Sequence, residues 1–258
     1  MIWDVDVRKH FENTKRSFKL DVRFRSNAQR LVLFGPSGAG KSQTLKMIAG
    51  LSAPDDGYVR LEGLSLFDHR ARIDLPPQQR ALGYVFQDYA LFPHLTVLQN
   101  IAFALHRGLV NPRRNVRHDS VSRWLEKFHL APVAHQYPEQ LSGGQRQRAA
   151  LARALVAEPR ALLLDEPFAA LDRALRAHLR QELAELQAQL NIPLILITHD
   201  EEDVDRFADA VVHIHDGRTI QETVDHDALG ARCLICAHLD ARTVTSSQFA
   251  FSRKRQMA

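Results

Sequence analysis

Cysteine is almost absent: Cys233 and Cys236 are the only thiols in 258 residues. Two cannot build a disulfide framework, and a lone C-x-x-C with no second pair and no adjacent strand–helix redox pattern reads as inert thiols. Long apolar runs are missing as well. The most conspicuous one, Ile192 to Thr198, has the length of a strand, whereas a bilayer-spanning helix needs about 20 apolar residues. The N-terminus, Met1-Ile2-Trp3-Asp4-Val5-Asp6, lacks the basic start and apolar core of a secretory signal, so the chain is expected to stay in the cytosol. Neither sign of charge dominates. Lys and Arg number 34 against 30 Asp and Glu, a formal net charge of +4, which leaves nucleic acid, anionic nucleotides and membrane surfaces open as partners. No internal repeat is visible. The remaining composition, 45% hydrophobic and 25% charged, excludes disordered and collagenous chains and suffices to bury one substantial core with a satellite lobe.

Alternating apolar positions open the chain (Trp3, Val5, Val7, then Phe18, Leu20, Val22, Phe24) and predict two half-exposed antiparallel strands. Leu31 to Phe34 is instead a continuous apolar run, the mark of a central strand buried on both faces, and it stops at Gly35-Pro36-Ser37-Gly38. Lys41 to Leu51 carries Leu45, Ile48 and Ala49 at helical spacing and ends in a turn at Pro54-Asp55-Asp56-Gly57. From Asp88 to Pro159 the pattern is helical, with Val121, Trp124, Leu125 and Phe128 on one face. Strand-type runs return at Ala161 to Leu164 and Leu194 to Thr198, and between them Leu175, Leu179, Leu183, Leu186 and Leu190 stripe a long helix. A short strand, Ala210 to His215, and a polar tail with Arg253-Lys254-Arg255 close the chain.

Three segments carry chemistry. Gly35-Pro36-Ser37-Gly38-Ala39-Gly40-Lys41-Ser42 matches G-x-x-x-x-G-K-[ST] between a buried strand and a helix, the context in which that pattern cradles phosphates. Its glycines let backbone amides turn inward, Lys41 reaches the outer phosphates, and the Ser42 hydroxyl offers an oxygen to Mg²⁺. At the end of another buried strand, Asp165 is placed to hold that cation, and Glu166 to polarise a water for in-line attack. Alone, this pair would read as an acidic strand cap before the turn at Pro167; Lys41 and Ser42 reverse that reading. Finally, Leu141-Ser142-Gly143-Gly144-Gln145 starts a helix capped by Ser142 with two bare glycine amides, a second place for an anion.

Taken together these residues resemble the ATP-binding-cassette ATPases, and the resemblance runs to about Glu222. Val85-Phe86-Gln87 looks like the family's glutamine loop, Ala170-Leu171-Asp172 like its aspartate loop and Thr198-His199-Asp200 like its switch histidine. The resemblance implies an α/β fold: a P-loop NTPase core with a mainly parallel sheet, an N-terminal antiparallel β subdomain and an α-helical signature subdomain. Residues 1–222 would form this single domain with the helical part at about 88–160, and 223–258 a short tail without a regulatory domain. It also implies a homodimer sandwiching two ATP, each between one subunit's P-loop and the other's Ser142, Gly143, Gly144 and Gln145, with Asp172 near the nucleotide. Lys41, Glu166, His199 and Gln87 would be catalytic, and Ser42, Gln87 and Asp165 would hold Mg²⁺. Phe11 is the nearest candidate for the aromatic that stacks on adenine, although displaced by about one position. Ala169-Ala170 replaces a family-typical serine.

Within the family the segments 64–68, 74–80, 83–87 and 91–97 look like bacterial importers, most of all the molybdate type, with sulfate and other oxyanion or ferric-ion importers close behind. That similarity implies a subunit peripheral to the cytoplasmic face of the cell membrane. Permease subunits would dock near Gln87 to Val97, where apolar Tyr89, Leu91, Phe92 and Leu95 read either as the docking surface or equally as packing residues under a loop, and a solute-binding protein would act indirectly. A second reading, a soluble ATPase of the superfamily acting on DNA or ribosomes, would use the basic surplus. No zinc-ligand cluster, long coiled-coil insertion or second cassette supports it, and no nucleic-acid partner is expected.

Overall fold

The computed structural model describes residues 1–13, 16–106, 108, 110–169, 173–220 and 224–225. Asp172, Cys233 and Cys236 lie outside the described residues. The chain opens with the expected hairpin, β1 (Trp3–Asn13) and β2 (Arg16–Ser26), paired antiparallel with Phe11 opposite Phe18. Side chains alternate across a strand with period two, so Trp3, Val5 and Val7 join Leu20, Val22 and Phe24 on one buried face. Next come β3 (Arg30–Phe34), α1 (Lys41–Ala49), and three strands that periodicity did not announce, β4 (Asp56–Leu61), β5 (Leu64–Asp68) and β6 (Ile73–Asp74). The turn expected at Pro54 to Gly57 is thus shorter: β4 already begins at Asp56. Gly57 pairs with Val7 at φ 106°, where a Cβ would lie 1.9 Å from the Asp6 carbonyl oxygen.

A short helix α2 (Pro77–Arg80) leads to β7 (Leu82–Val85). The helical stretch then resolves into α3 (Val97–Phe103), α4 (Asp119–Lys127) and α5 (Gly143–Leu155). Strand and helix then alternate through β8 (Ala161–Asp165), α6 (Arg173–Leu190), β9 (Leu194–Thr198), α7 (Glu201–Phe207) and β10 (Ala210–His215), followed by the short strands β11 (Arg218–Thr219) and β12 (Val224–Asp225). The strands join in the order β6-β5-β4-β1-β2-β11-β10-β3-β9-β8-β7, with β12 on β10. From β10 to β7 every neighbour is parallel, and from β6 to β2 every neighbour is antiparallel. The architecture is an α/β P-loop core continued by an antiparallel subdomain.

Strand alternation also builds the two cores. On β8 and β9, Leu163, Ile195 and Ile197 face α1 and the antiparallel strands, while Leu162, Leu164, Leu194 and Leu196 face the cluster that includes α5 and α6 residues. Strands covered on both faces read as unbroken apolar runs, which is why β3, β8 and β9 were legible. Four parallel strands, β3, β9, β8 and β7, therefore end at one edge of the sheet. Ligands of open α/β sheets bind beyond the carboxyl ends of the strands.

Gly35 leaves β3 so close to β10 that a Cβ would lie 2.0 Å from the Ile214 carbonyl oxygen. Gly35→Ala is therefore expected to destabilise the fold by roughly 2 kcal/mol or more, measured by denaturant unfolding; an unchanged midpoint would show that the loop can move away from β10.

Candidate functional site

Gly40 caps α1 in the left-handed conformation, φ 101°, which glycine adopts without cost. No acidic residue occupies the first turn of α1, leaving the helix dipole and the loop amides free to meet an anion. Lys41 is buried and donates from Nζ to the carbonyl oxygens of Gly35 (2.6 Å) and Pro36 (2.9 Å). Its ammonium is 4.0 Å from Glu166 Oε1. Burial pushes Lys41 below the ordinary lysine range, and the Glu166 and Asp165 carboxylates oppose that shift.

Asp165 ends β8 and is itself buried. Ser42 donates to its Oδ1 at 2.7 Å and the Tyr84 hydroxyl to its Oδ2 at 3.1 Å. Burial raises the Asp165 carboxyl, and these two hydrogen bonds work against the rise by favouring its charged form. Glu166 follows at φ 45°, a strained conformation for a non-glycine residue, held by an N–H bond to the Ile197 carbonyl oxygen at 3.2 Å. Its Oε2 lies 3.4 Å from Nδ1 of His199, which stands just past β9, between β3 and β8 in the sheet. Five sequence candidates thus meet at one edge: Lys41, Ser42, Asp165, Glu166 and His199. A hydroxyl and a buried carboxylate form the hard-oxygen donor set of Mg²⁺, which keeps few protein ligands. Among the described residues no cluster of three or more His, Cys, Asp and Glu exists to suit a softer metal.

Other candidates lie apart from this cluster. Gln87 is exposed, two residues beyond β7. Ser142 caps α5 in a reciprocal box: its hydroxyl accepts from Gln145 N–H, while Gln145 Oε1 accepts from Ser142 N–H at 2.8 Å. Gly143 and Gly144 open the helix with no acidic residue in its first turn. Phe11 is half-buried with its ring 6.2 Å from Phe18. Phe18 stands nearer the P-loop, since a Cβ on Gly40 would be 3.3 Å from its Cζ.

In the segment after Gln87 the apolar residues divide between packing and exposure. Tyr89 and Leu95 are buried packing residues, because Asn100, wholly buried on α3, donates to the carbonyl oxygens of Phe92, Leu95 and Thr96 and folds the loop inward. Leu91 and Phe92 stay half-buried, and Phe103 packs on Phe92 at 4.5 Å between ring centroids. Sequence reasoning also missed Arg153. From α5 it donates to the carbonyl oxygens of Tyr89 (2.8 Å) and Ala90 (2.7 Å), two consecutive left-handed residues, and so ties the Gln87 segment to the helix that Ser142 caps. No local signal marked it, since an arginine in an amphipathic helix reads as surface.

This sheet edge describes a P-loop nucleotide-binding protein. Residues 20–169 match the ABC transporter family, and the chain belongs to it. A molybdenum import ATP-binding protein of Paramagnetospirillum magneticum is 40% identical over 83% of this chain and 57% of its own length. A molybdate/tungstate import ATP-binding protein of Archaeoglobus fulgidus is 44% identical over 80% of this chain and 82% of its own length. A sulfate/thiosulfate import ATP-binding protein of Pseudomonas syringae is 43% identical over 82% and 64% respectively. The chain thus spans little more than half of the first of these relatives. An ATP-binding cassette solved as a post-hydrolysis dimer with ADP and phosphate superposes with a TM-score of 0.71 at 28% identity, covering 87% of this chain and 98% of that one. Among the described residues no helix is long and apolar enough to cross a membrane.

Proposed function

We propose that this chain is the ATP-hydrolysing subunit of an importer for molybdate or a related oxyanion, working as a homodimer at the cytoplasmic face of the membrane. The observation that carries the reading is the convergence of Lys41, Asp165, Glu166 and His199 on one sheet edge, with Lys41 and His199 flanking the two oxygens of Glu166. The names of the relatives, which span molybdate, sulfate and polyamine import, support import as the class, and the molybdate and sulfate importers among them favour an oxyanion as the solute.

Phosphoryl transfer asks a protein for positioning and charge neutralisation more than covalent help. Lys41 exchanges the Gly35 and Pro36 carbonyls for the outer phosphate oxygens, and the amides of residues 38–42 take the rest of the chain. Ser42 and Asp165, with the Gln87 amide, would hold Mg²⁺, which supplies charge neutralisation at those oxygens. Glu166 takes the proton of the attacking water, and His199 orients both. Ser142, Gly143, Gly144 and Gln145 of the partner subunit close the site from the opposite side. The Phe11–Phe18 pair offers the apolar face for adenine. Permease subunits dock on Leu91, Phe92 and Phe103, with the solute-binding protein acting through them. Residues 1–222 form this cassette.

Lys41→Ala is expected to lower ATP affinity at least tenfold and, in cells that carry it in place of the native chain, to abolish ATP-dependent molybdate uptake. Loss of sulfate or polyamine uptake with molybdate uptake intact would move the solute; retained ATP binding would remove Lys41 from the site.

A further inference from the structure

Asp165 is held from two sides, and only one of the two donors belongs to the nucleotide loop. Ser42 reaches Oδ1 from α1, at the foot of the P-loop. Tyr84 reaches Oδ2 from β7, the strand that leads to Gln87. Parallel pairing sets Tyr84 opposite Leu163, so a phenol lying along the neighbouring strand brings its hydroxyl two residues further, to Asp165. The ring of Phe86 packs on that of Tyr84 at 4.3 Å between centroids and holds the phenol in this direction.

The second hydrogen bond matters because of the torsion it controls. Rotation of an aspartate carboxylate about χ2 is soft and roughly two-fold, so a donor on one oxygen leaves the plane free to pivot about that contact. Donors on both oxygens fix the plane, and with it the direction of the lone pairs that remain. In a buried carboxylate no solvent shell substitutes for a lost donor. We propose that Tyr84 is a positioning residue for the cation site: its hydroxyl fixes the carboxylate plane of Asp165 and joins that plane mechanically to the strand carrying Gln87. The inference rests on the assignment of Asp165 to a divalent cation. Ser42 is part of the P-loop pattern itself, whereas nothing in that pattern calls for a hydroxyl at Tyr84.

Tyr84→Phe removes one oxygen and keeps the ring on Phe86, so the fold is retained. The test is equilibrium binding of a non-hydrolysable ATP analogue by calorimetry, first in EDTA and then across a Mg²⁺ series, for the wild-type chain, Tyr84→Phe and Asp165→Asn. Partners that orient a metal-binding group typically change metal affinity 10–100-fold when removed. The expected result is a rise of about tenfold or more in the Mg²⁺ concentration for half-maximal enhancement of binding in Tyr84→Phe, with the EDTA affinity unchanged. Equal weakening with and without Mg²⁺ would assign Tyr84 to the fold alone and overturn the proposal. A shift in Asp165→Asn without one in Tyr84→Phe would overturn it too, leaving the cation site standing. No shift in Asp165→Asn would remove the cation site, and the proposal with it.

Discussion

Glu166→Gln should abolish multiple-turnover ATP hydrolysis while leaving ATP bound. The substitution keeps the size and shape of the side chain, and the strained backbone at φ 45° with its N–H bond to Ile197 is unaltered. What it removes is the capacity to take a proton. General-base assistance contributes roughly 10²–10⁴-fold to a rate, and Glu166 is the carboxylate of this site that is not tied up on both oxygens by hydroxyl donors, as Asp165 is. A fall in kcat of about 10³-fold follows. The amide also gives up the negative charge 4.0 Å from the buried Lys41 ammonium, so Lys41 has less to hold it back from a phosphate, and affinity for ATP is expected to hold or rise. Size-exclusion chromatography with ATP should then show a larger share of dimer than for the wild-type chain. Wild-type turnover in this variant would exclude Glu166 as the base; lost turnover without ATP binding would mean that the carboxylate holds the loop together instead.

What the sequence disclosed follows from how each part is built. Buried parallel strands are apolar along their whole length, so β3, β8 and β9 stood out, and the P-loop, the acidic pair and His199 were each legible because they follow such a strand directly. Their meeting at one edge depends on the order β3-β9-β8-β7, which no local pattern encodes; the family resemblance supplied it. The antiparallel strands β4, β5 and β6 escaped because their pairings run in short segments of mixed polarity. Arg80 shows the limit most clearly. An arginine before β7 reads as surface, yet it is wholly buried, where it donates to the carbonyl oxygens of Met47 and Ile48 at the end of α1, to that of Leu75, and to Asp74. It satisfies helix-end carbonyls that a sequence leaves unassigned. Tyr84 escaped for a related reason: its partner is 81 positions away.

The largest effect on stability should come from a residue outside the reacting groups. Arg180, on the inner face of α6, is 4% exposed and binds three carboxylates at the start of α7. Nε donates to Asp203 Oδ1 at 2.6 Å, Nη2 to Asp200 Oδ2 at 2.6 Å, and Nη1 to Glu202. Asp203 is 3% exposed and accepts from the Thr198 hydroxyl, which in turn accepts from Asp200 N–H at 3.0 Å. His199 lies between those two residues, and the guanidinium also sits 5.9 Å over the ring of Phe168, two residues past Glu166. Removing one partner of a buried ion pair costs about 3–5 kcal/mol because the remaining charge has no counter-ion. Arg180→Met should therefore lower the Tm by roughly 10 °C.

The pH dependence identifies the cause. Burial already pushes the Asp203 carboxyl above the ordinary range, against the pull of Thr198 and Arg180, and loss of Arg180 moves it further up. A carboxyl with a folded pKa above its unfolded value leaves the fold unpenalised below the unfolded value and destabilises it as pH rises through the folded one. The deficit of Arg180→Met relative to wild type should then vanish as pH falls below the ordinary carboxylate range and grow as pH rises above that range, reaching its full size above the raised folded value of Asp203. Arg180→Met combined with Asp203→Leu should recover most of the loss at every pH, since an apolar pair can replace a buried ion pair at little cost. A pH-independent deficit that the double variant does not relieve would trace the loss to packing of the arginine stem. With Arg180 removed, the turn carrying His199 keeps the Asp200 N–H bond to Thr198 and the Arg176–Asp200 pair but loses the guanidinium that joins Asp200, Glu202 and Asp203, so kcat should fall more than ATP affinity even where the protein remains folded.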